Sequence, residues 1–124
     1  MHIVMNSAED LDISDFTQPG INIESNDPEA HYSALQMFAT SLALCTYSVL
    51  ASYAEQIEVK ADKLAVHMQW RYAEQPFRID HIEMEIDWPE LPESRLQAAQ
   101  RAAAMCTLHN TLAQPPDVIT QVNR

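Results

Sequence analysis

Cys45, Cys106 and His109 are the residues of this 124-residue chain whose types best suit chemistry. A thiolate is a nucleophile and an oxidisable centre, and two thiols close a disulfide when their Cα atoms lie about 4.4–6.8 Å apart. His109 follows Cys106 by three residues, one helical turn, from where an imidazole can polarise a thiol. A histidine near a helix end also serves simply by hydrogen-bonding a free carbonyl, and two free cysteines are also what two small buried hydrophobes look like. Both readings stand on spacing alone. Zinc would want a fourth ligand and close-paired spacing, so no metal is expected. Two cysteines are too few for a secreted disulfide scaffold, and no basic start precedes an apolar core. The expected compartment is therefore the reducing cytoplasm.

Composition removes several function classes. A single glycine, Gly20, cannot supply the close backbone approach of a phosphate-cradling loop. The net charge is −11, from eighteen acidic and seven basic side chains, and no Lys or Arg precedes Lys60. Nucleic acid needs clustered cations, so it is not an expected partner. The acidic row Glu83, Glu85 and Asp87 alternates with apolar residues and reads as the wet face of a strand. From Tyr32 to Ala54 no residue is charged, which is long enough to cross a bilayer. Seven Ser, Thr and Gln side chains, Ser33 to Ser52, and flanks without cations favour a helix buried in a soluble core over a membrane span.

The elements that must position the cysteines follow from periodicity. Asn26-Asp27-Pro28-Glu29 predicts a helix start, with an Asx cap, a first-turn proline and an acid at the positive end of the dipole. That helix is expected to run to about Gln56. Its stripe of Leu35, Phe38, Leu42, Cys45 and Val49 faces one way, and Met37, Leu44, Ser48 and Ala51 make a second uncharged face, so cover on both sides is expected. Leu64, Val66, Met68, Trp70 and Tyr72 alternate as a half-buried strand. The chain turns at Ala73–Pro76, Phe77 and Ile79 point inward, and Ile82, Met84, Ile86 and Trp88 resume one residue out of phase. That slip predicts a bulge near Asp80 and His81 in an antiparallel hairpin. After Pro89–Pro92 a second helix carries Leu96, Ala99, Ala103, Cys106 and Asn110 on one stripe. Pro115-Pro116 ends it, and Val118–Val122 can form a last strand. Residues 1–27 read as a short arm with strands at Ile3–Met5 and Ile21–Glu24, within a single domain covering 1–124.

Residues 33–46, Ser-Ala-Leu-Gln-Met-Phe-Ala-Thr-Ser-Leu-Ala-Leu-Cys-Thr, resemble the first core helix of the OsmC/Ohr family of osmotically inducible and organic hydroperoxide resistance proteins. Residues 102–112, Ala-Ala-Ala-Met-Cys-Thr-Leu-His-Asn-Thr-Leu, resemble that family's second cysteine segment. The resemblance spans about residues 33–122 and implies an α+β fold: two buried central helices packed on an antiparallel sheet, assembled as an intertwined homodimer with sites at the interface. It further implies that Cys45 attacks an organic hydroperoxide and becomes a sulfenic acid, that Cys106 resolves it as a disulfide, and that a dithiol or other thiol restores the pair. No bound cofactor is required.

Three positions depart from the family pattern. Its N-terminal arginine has no counterpart, because the first cation is Lys60. Leu35 stands where the hydroperoxide-resistance branch carries a glutamate, and Thr107 where many relatives carry proline. Arg71 or Arg78 could replace the arginine if the hairpin delivers one of them to Cys45. Without a cation, burial raises a thiol's pKa and slows it. Two functions are therefore expected to compete: a thiol-dependent hydroperoxide reductase, and a non-catalytic OsmC-like dimer that binds a small hydrophobic ligand or serves structurally.

Overall fold

The computed structural model describes residues 1–124. Alternation builds most of one sheet. In β1 (His2–Ser7), β2 (Asp10–Ser14) and β4 (Ala65–Ala73), Ile3, Leu11, Ile13, Val66 and Met68 all point inward and are at most 1% exposed. Their neighbours in sequence face water, as a strand's period of two requires. β3 (Asn22–Ser25) and β5 (Arg78–Asp87) close the two edges, and the strand order is β3-β1-β2-β4-β5. β1–β2, β2–β4 and β4–β5 are antiparallel, whereas β1–β3 is parallel, so the sheet is mixed. The first 27 residues thus supply three of the five strands. β2 went unpredicted because Asp10 and Asp12 disguise the alternation of Leu11 and Ile13.

The hairpin bulge lies where the pattern slips. Arg71 pairs with His81 and Tyr72 with Ile79, leaving Asp80 as the extra residue. Phe77 departs from expectation: it lies at the hairpin tip, 68% exposed, stacked on Tyr72 at 4.8 Å. Both tryptophans are buried anchors. The Trp70 indole N–H donates to the Tyr72 hydroxyl at 2.9 Å and that of Trp88 to the Lys60 carbonyl at 2.8 Å.

α1 (Ala34–Gln56) starts six residues later than the Asp27-Pro28 signal suggests. Asp27 instead makes a local turn, its carboxylate accepting the Glu29 N–H at 2.9 Å and its carbonyl the Ala30 N–H at 3.1 Å. Gln36 fixes the true start. Its side-chain oxygen accepts from the Ser33 N–H and hydroxyl, both at 3.0 Å, while its amide donates to the Ala8 carbonyl at 2.7 Å and ties the helix to the β1–β2 turn. At the other end Glu58 takes φ +57 and the Val59 N–H donates back to the Ala54 carbonyl at 2.9 Å. That left-handed closure is a Schellman-type stop.

By length and composition α1 could cross a membrane, but it packs against β2, β4 and the later helices. Its buried stripe includes Gln36, Ala39, Leu42, Ala43, Thr46 and Leu50. The second uncharged face is not covered within the chain. Met37 is 55% and Leu44 39% exposed.

The second helical region is broken, not continuous. After a 3-10 turn at Glu93–Arg95, α2 covers Leu96–Ala103 and α3 covers Thr107–Ala113. The last strand expected at 118–122 does not form. Val118, Ile119 and Val122 are 84–92% exposed on a tail that pairs with neither edge of the sheet.

Candidate active site

The break between α2 and α3 decides where Cys106 goes. α2 tightens at its end, with the Met105 N–H donating to Ala102 and the Cys106 N–H to Ala103, at 3.0 and 3.3 Å. Cys106 then takes φ −59, ψ 136 and becomes the N-cap of α3 instead of a mid-helix stripe residue. Its side chain is fully buried against α1. The break forms with Thr107 in place of a proline.

Both cysteines are free thiols. Cys45, half-buried on α1, is among the groups that act on the Cys106 thiol. Around that sulfur lie the backbone N–H groups of His109 and Leu108 and the Thr46 hydroxyl. Cys106 makes no side-chain capping hydrogen bond, and the Thr46 hydroxyl has no hydrogen-bond partner. Burial raises the Cys106 pKa, but the Cys45 thiol, the two N–H groups and the Thr46 hydroxyl together outweigh it. The thiol is held below the ordinary cysteine value. No cation takes part; neutral donors and the amides opening α3 favour the negative charge.

Two thiols 61 positions apart along the chain therefore bear on one another. The OsmC-like protein family matches residues 26–121, more than three quarters of the sequence. The chain belongs to the OsmC-like proteins. Two solved structures share the fold of this OsmC-like chain. An osmotic stress induced and detoxification response protein from Psychrobacter arcticus is 22% identical with a TM-score of 0.61, the match covering 68% of this chain and 62% of that one. An OsmC-like hydroperoxide resistance protein from Jannaschia is 21% identical with a TM-score of 0.58, covering 80% and 71% respectively. No match is found among the curated proteins.

The side chains of the remaining candidate residues of this OsmC-like protein do not act on the Cys106 sulfur. Arg71 is exposed on the sheet, 3.6 Å from Asp80, and Arg78 donates to the Pro76 carbonyl at 3.1 Å. Neither acts on Cys106 within the chain. His109 acts on the sulfur through its backbone N–H, and the residue also lines a groove. Leu35 packs half-buried against the core. The groove, about 940 Å³, runs between α1, the inner side of β5 and the α2–α3 region, with Leu42, Leu50, Met84, Trp88 and Ala103 among its walls. Thirteen of its sixteen lining residues are hydrophobic and neither cysteine is among them, so it offers apolar binding without a reactive group.

Sequence reasoning missed Thr46. Its only signal was position: next to Cys45 and four residues before Leu50 on a helix otherwise rich in small apolar residues.

Proposed function

We propose that this OsmC-like protein is a thiol-dependent reductase of organic hydroperoxides. The observation that carries the reading is a pair of free thiols from distant segments, the deeper one held below the ordinary cysteine pKa with the Cys45 thiol among the causes. Cys45, the more accessible sulfur, attacks the terminal peroxide oxygen. The O–O bond breaks, an alcohol leaves after taking a proton, and Cys45 becomes a sulfenic acid. Cys106 then attacks the Cys45 sulfur, the S–O bond breaks, and water leaves as the disulfide forms. An external dithiol reduces the disulfide and is itself oxidised, restoring both thiols.

The functional unit is a homodimer in this reading. Met37 and Leu44 on α1, Leu96 on α2 and Leu112 on α3 are all exposed, and the apolar groove lies on the same helical side of the sheet. A second copy is the natural cover for an apolar area of this kind.

A non-catalytic reading, a dimer that binds a small hydrophobic ligand, is favoured by the same groove and by the lack of a cation at the sulfurs. One titration separates the two. Reduced protein receives one equivalent of cumene hydroperoxide and free thiols are followed in the native chain, Cys45→Ser and Cys106→Ser. The reductase loses both thiols rapidly, Cys45→Ser keeps its thiol, and Cys106→Ser accumulates a sulfenic acid. Thiols that survive in the native protein overturn the reductase.

A further inference from the structure

Four aliphatic hydroxyls lie between Thr40 and Ser48 on α1, and three of them return to the helix's own carbonyls. Thr40 donates to Gln36 and Ser41 to Phe38, both at 2.8 Å, and Ser48 to Leu44 at 3.0 Å. This back-bonding is the default for Ser and Thr within a helix. Thr46 does not follow it. Its side chain is fully buried and its Oγ1 has no hydrogen-bond partner. A buried hydroxyl left unpaired is costly, so its placement needs a reason.

Thr46 and Cys106 are both fully buried where α1 packs on the α2–α3 region, and the Thr46 hydroxyl, without a hydrogen-bond partner of its own, is among the groups that favour negative charge on the Cys106 sulfur. A neutral thiol is a weak acceptor, whereas a thiolate accepts a charge-assisted bond. An anionic Cys106 offers this orphaned donor a stronger acceptor than the neutral thiol does. Cys45 is the one ionisable side chain among the groups acting on this sulfur, so no nearby cation performs the same task.

We propose that Thr46 is a positioning residue whose hydroxyl donates to the Cys106 sulfur whenever that sulfur is anionic. The proposal rests on the cysteine cycle above. During closure, the Cys106 thiolate supplies the electron pair of the new S–S bond, and the S–O bond of the Cys45 sulfenic acid breaks. The departing hydroxide takes a proton and leaves as water. During reduction, an external thiolate reaches the half-buried Cys45 sulfur rather than the fully buried Cys106. The S–S electron pair then passes to Cys106, and Thr46 receives the leaving thiolate. A second thiol of the reductant attacks the mixed disulfide and frees Cys45. A leaving thiol of lower pKa departs faster, so the hydroxyl acts in both half-cycles.

The test compares Thr46→Val, which keeps the shape and removes the hydroxyl, with Thr46→Ser, which keeps the hydroxyl. In a Cys45→Ser background, the ultraviolet absorbance of the thiolate reports the titration of Cys106. The midpoint should move to higher pH in Thr46→Val and stay near the native one in Thr46→Ser. With both cysteines present, disulfide closure after one equivalent of cumene hydroperoxide should slow about threefold below the midpoint. That figure takes roughly tenfold fewer thiolates, partly offset by the greater nucleophilicity of a more basic sulfur. If valine is not accommodated in the core, Thr46→Ser against Thr46→Ala isolates the same oxygen atom. Normal closure in the native protein, with midpoint and rate unchanged by removal of the hydroxyl, overturns the role of Thr46 alone. Native thiols that ignore the peroxide overturn the cycle on which it rests.

Discussion

Replacing Thr107 with proline tests the helix break that places Cys106. Thr107 is the first residue of α3 and is exposed. The N–H at that position has no intrahelical partner, and its backbone is already helical, which suits proline's fixed φ. The residue before a proline must be extended, and Cys106 at φ −59, ψ 136 already is. The substitution therefore removes no packing and restricts only the unfolded chain. The expected gain is about 0.4–1 kcal/mol, or roughly 2–4 °C in Tm for a domain of this size. A helix running unbroken from Leu96 to Ala113 would respond in the opposite sense. There the ring would meet the Ala103 carbonyl and cost about 3 kcal/mol. Urea and thermal unfolding of reduced Thr107→Pro decide between them, because the two outcomes differ in sign. A loss near the larger figure would refute the break and with it the N-cap placement of Cys106.

Other consequences are more local. Glu58→Gly should stabilise by about 0.5–1 kcal/mol, since glycine adopts the left-handed closure of α1 without a Cβ penalty, and urea unfolding reads this directly. On the outer sheet face, His67 Nδ1 lies 2.7 Å from Asp12 and Nε2 3.3 Å from Asp10; burial of the ring opposes its charge, but the two carboxylates outweigh that and raise its pKa above 6.5. His67→Gln should therefore cost up to about 1 kcal/mol below pH 6.5, discounted for partial exposure, and the difference from native should vanish as pH rises through the folded-state pKa. Leu44→Glu, placed on the uncovered face of α1, should yield a folded monomer in sedimentation where the native chain is a dimer; a native monomer would contradict the dimer proposal.

The legibility of this fold tracked how strongly side chains and backbone agreed. The β4–β5 hairpin could be read to within a residue because Val66, Met68 and Trp70 alternate strictly and the slip at Asp80 leaves a visible phase change. β2 was hidden because its outward residues are carboxylates, which oppose strand propensity but tolerate a solvent-facing row. The start of α1 was misplaced because Asp27-Pro28 suits a turn as well as a cap; only the contact between Gln36 and the distant Ala8 carbonyl selects Ser33. At the site, the place of Cys45 on a core-facing stripe of α1 was legible from helical spacing. The break that turns Cys106 into an N-cap was not, because Ala103, Cys106 and Asn110 keep helical spacing straight across it. Thr46 was unreadable for a different reason: an unpaired hydroxyl is defined by what surrounds it in space.

The central claim is that oxidation joins these two sulfurs. Reduced native protein treated with one equivalent of cumene hydroperoxide, alkylated and digested without reductant, tests it by mass spectrometry. The account predicts an intact mass lower by two hydrogen atoms and a cross-linked peptide pair containing Cys45 and Cys106. Two separately alkylated cysteines after that treatment would contradict it.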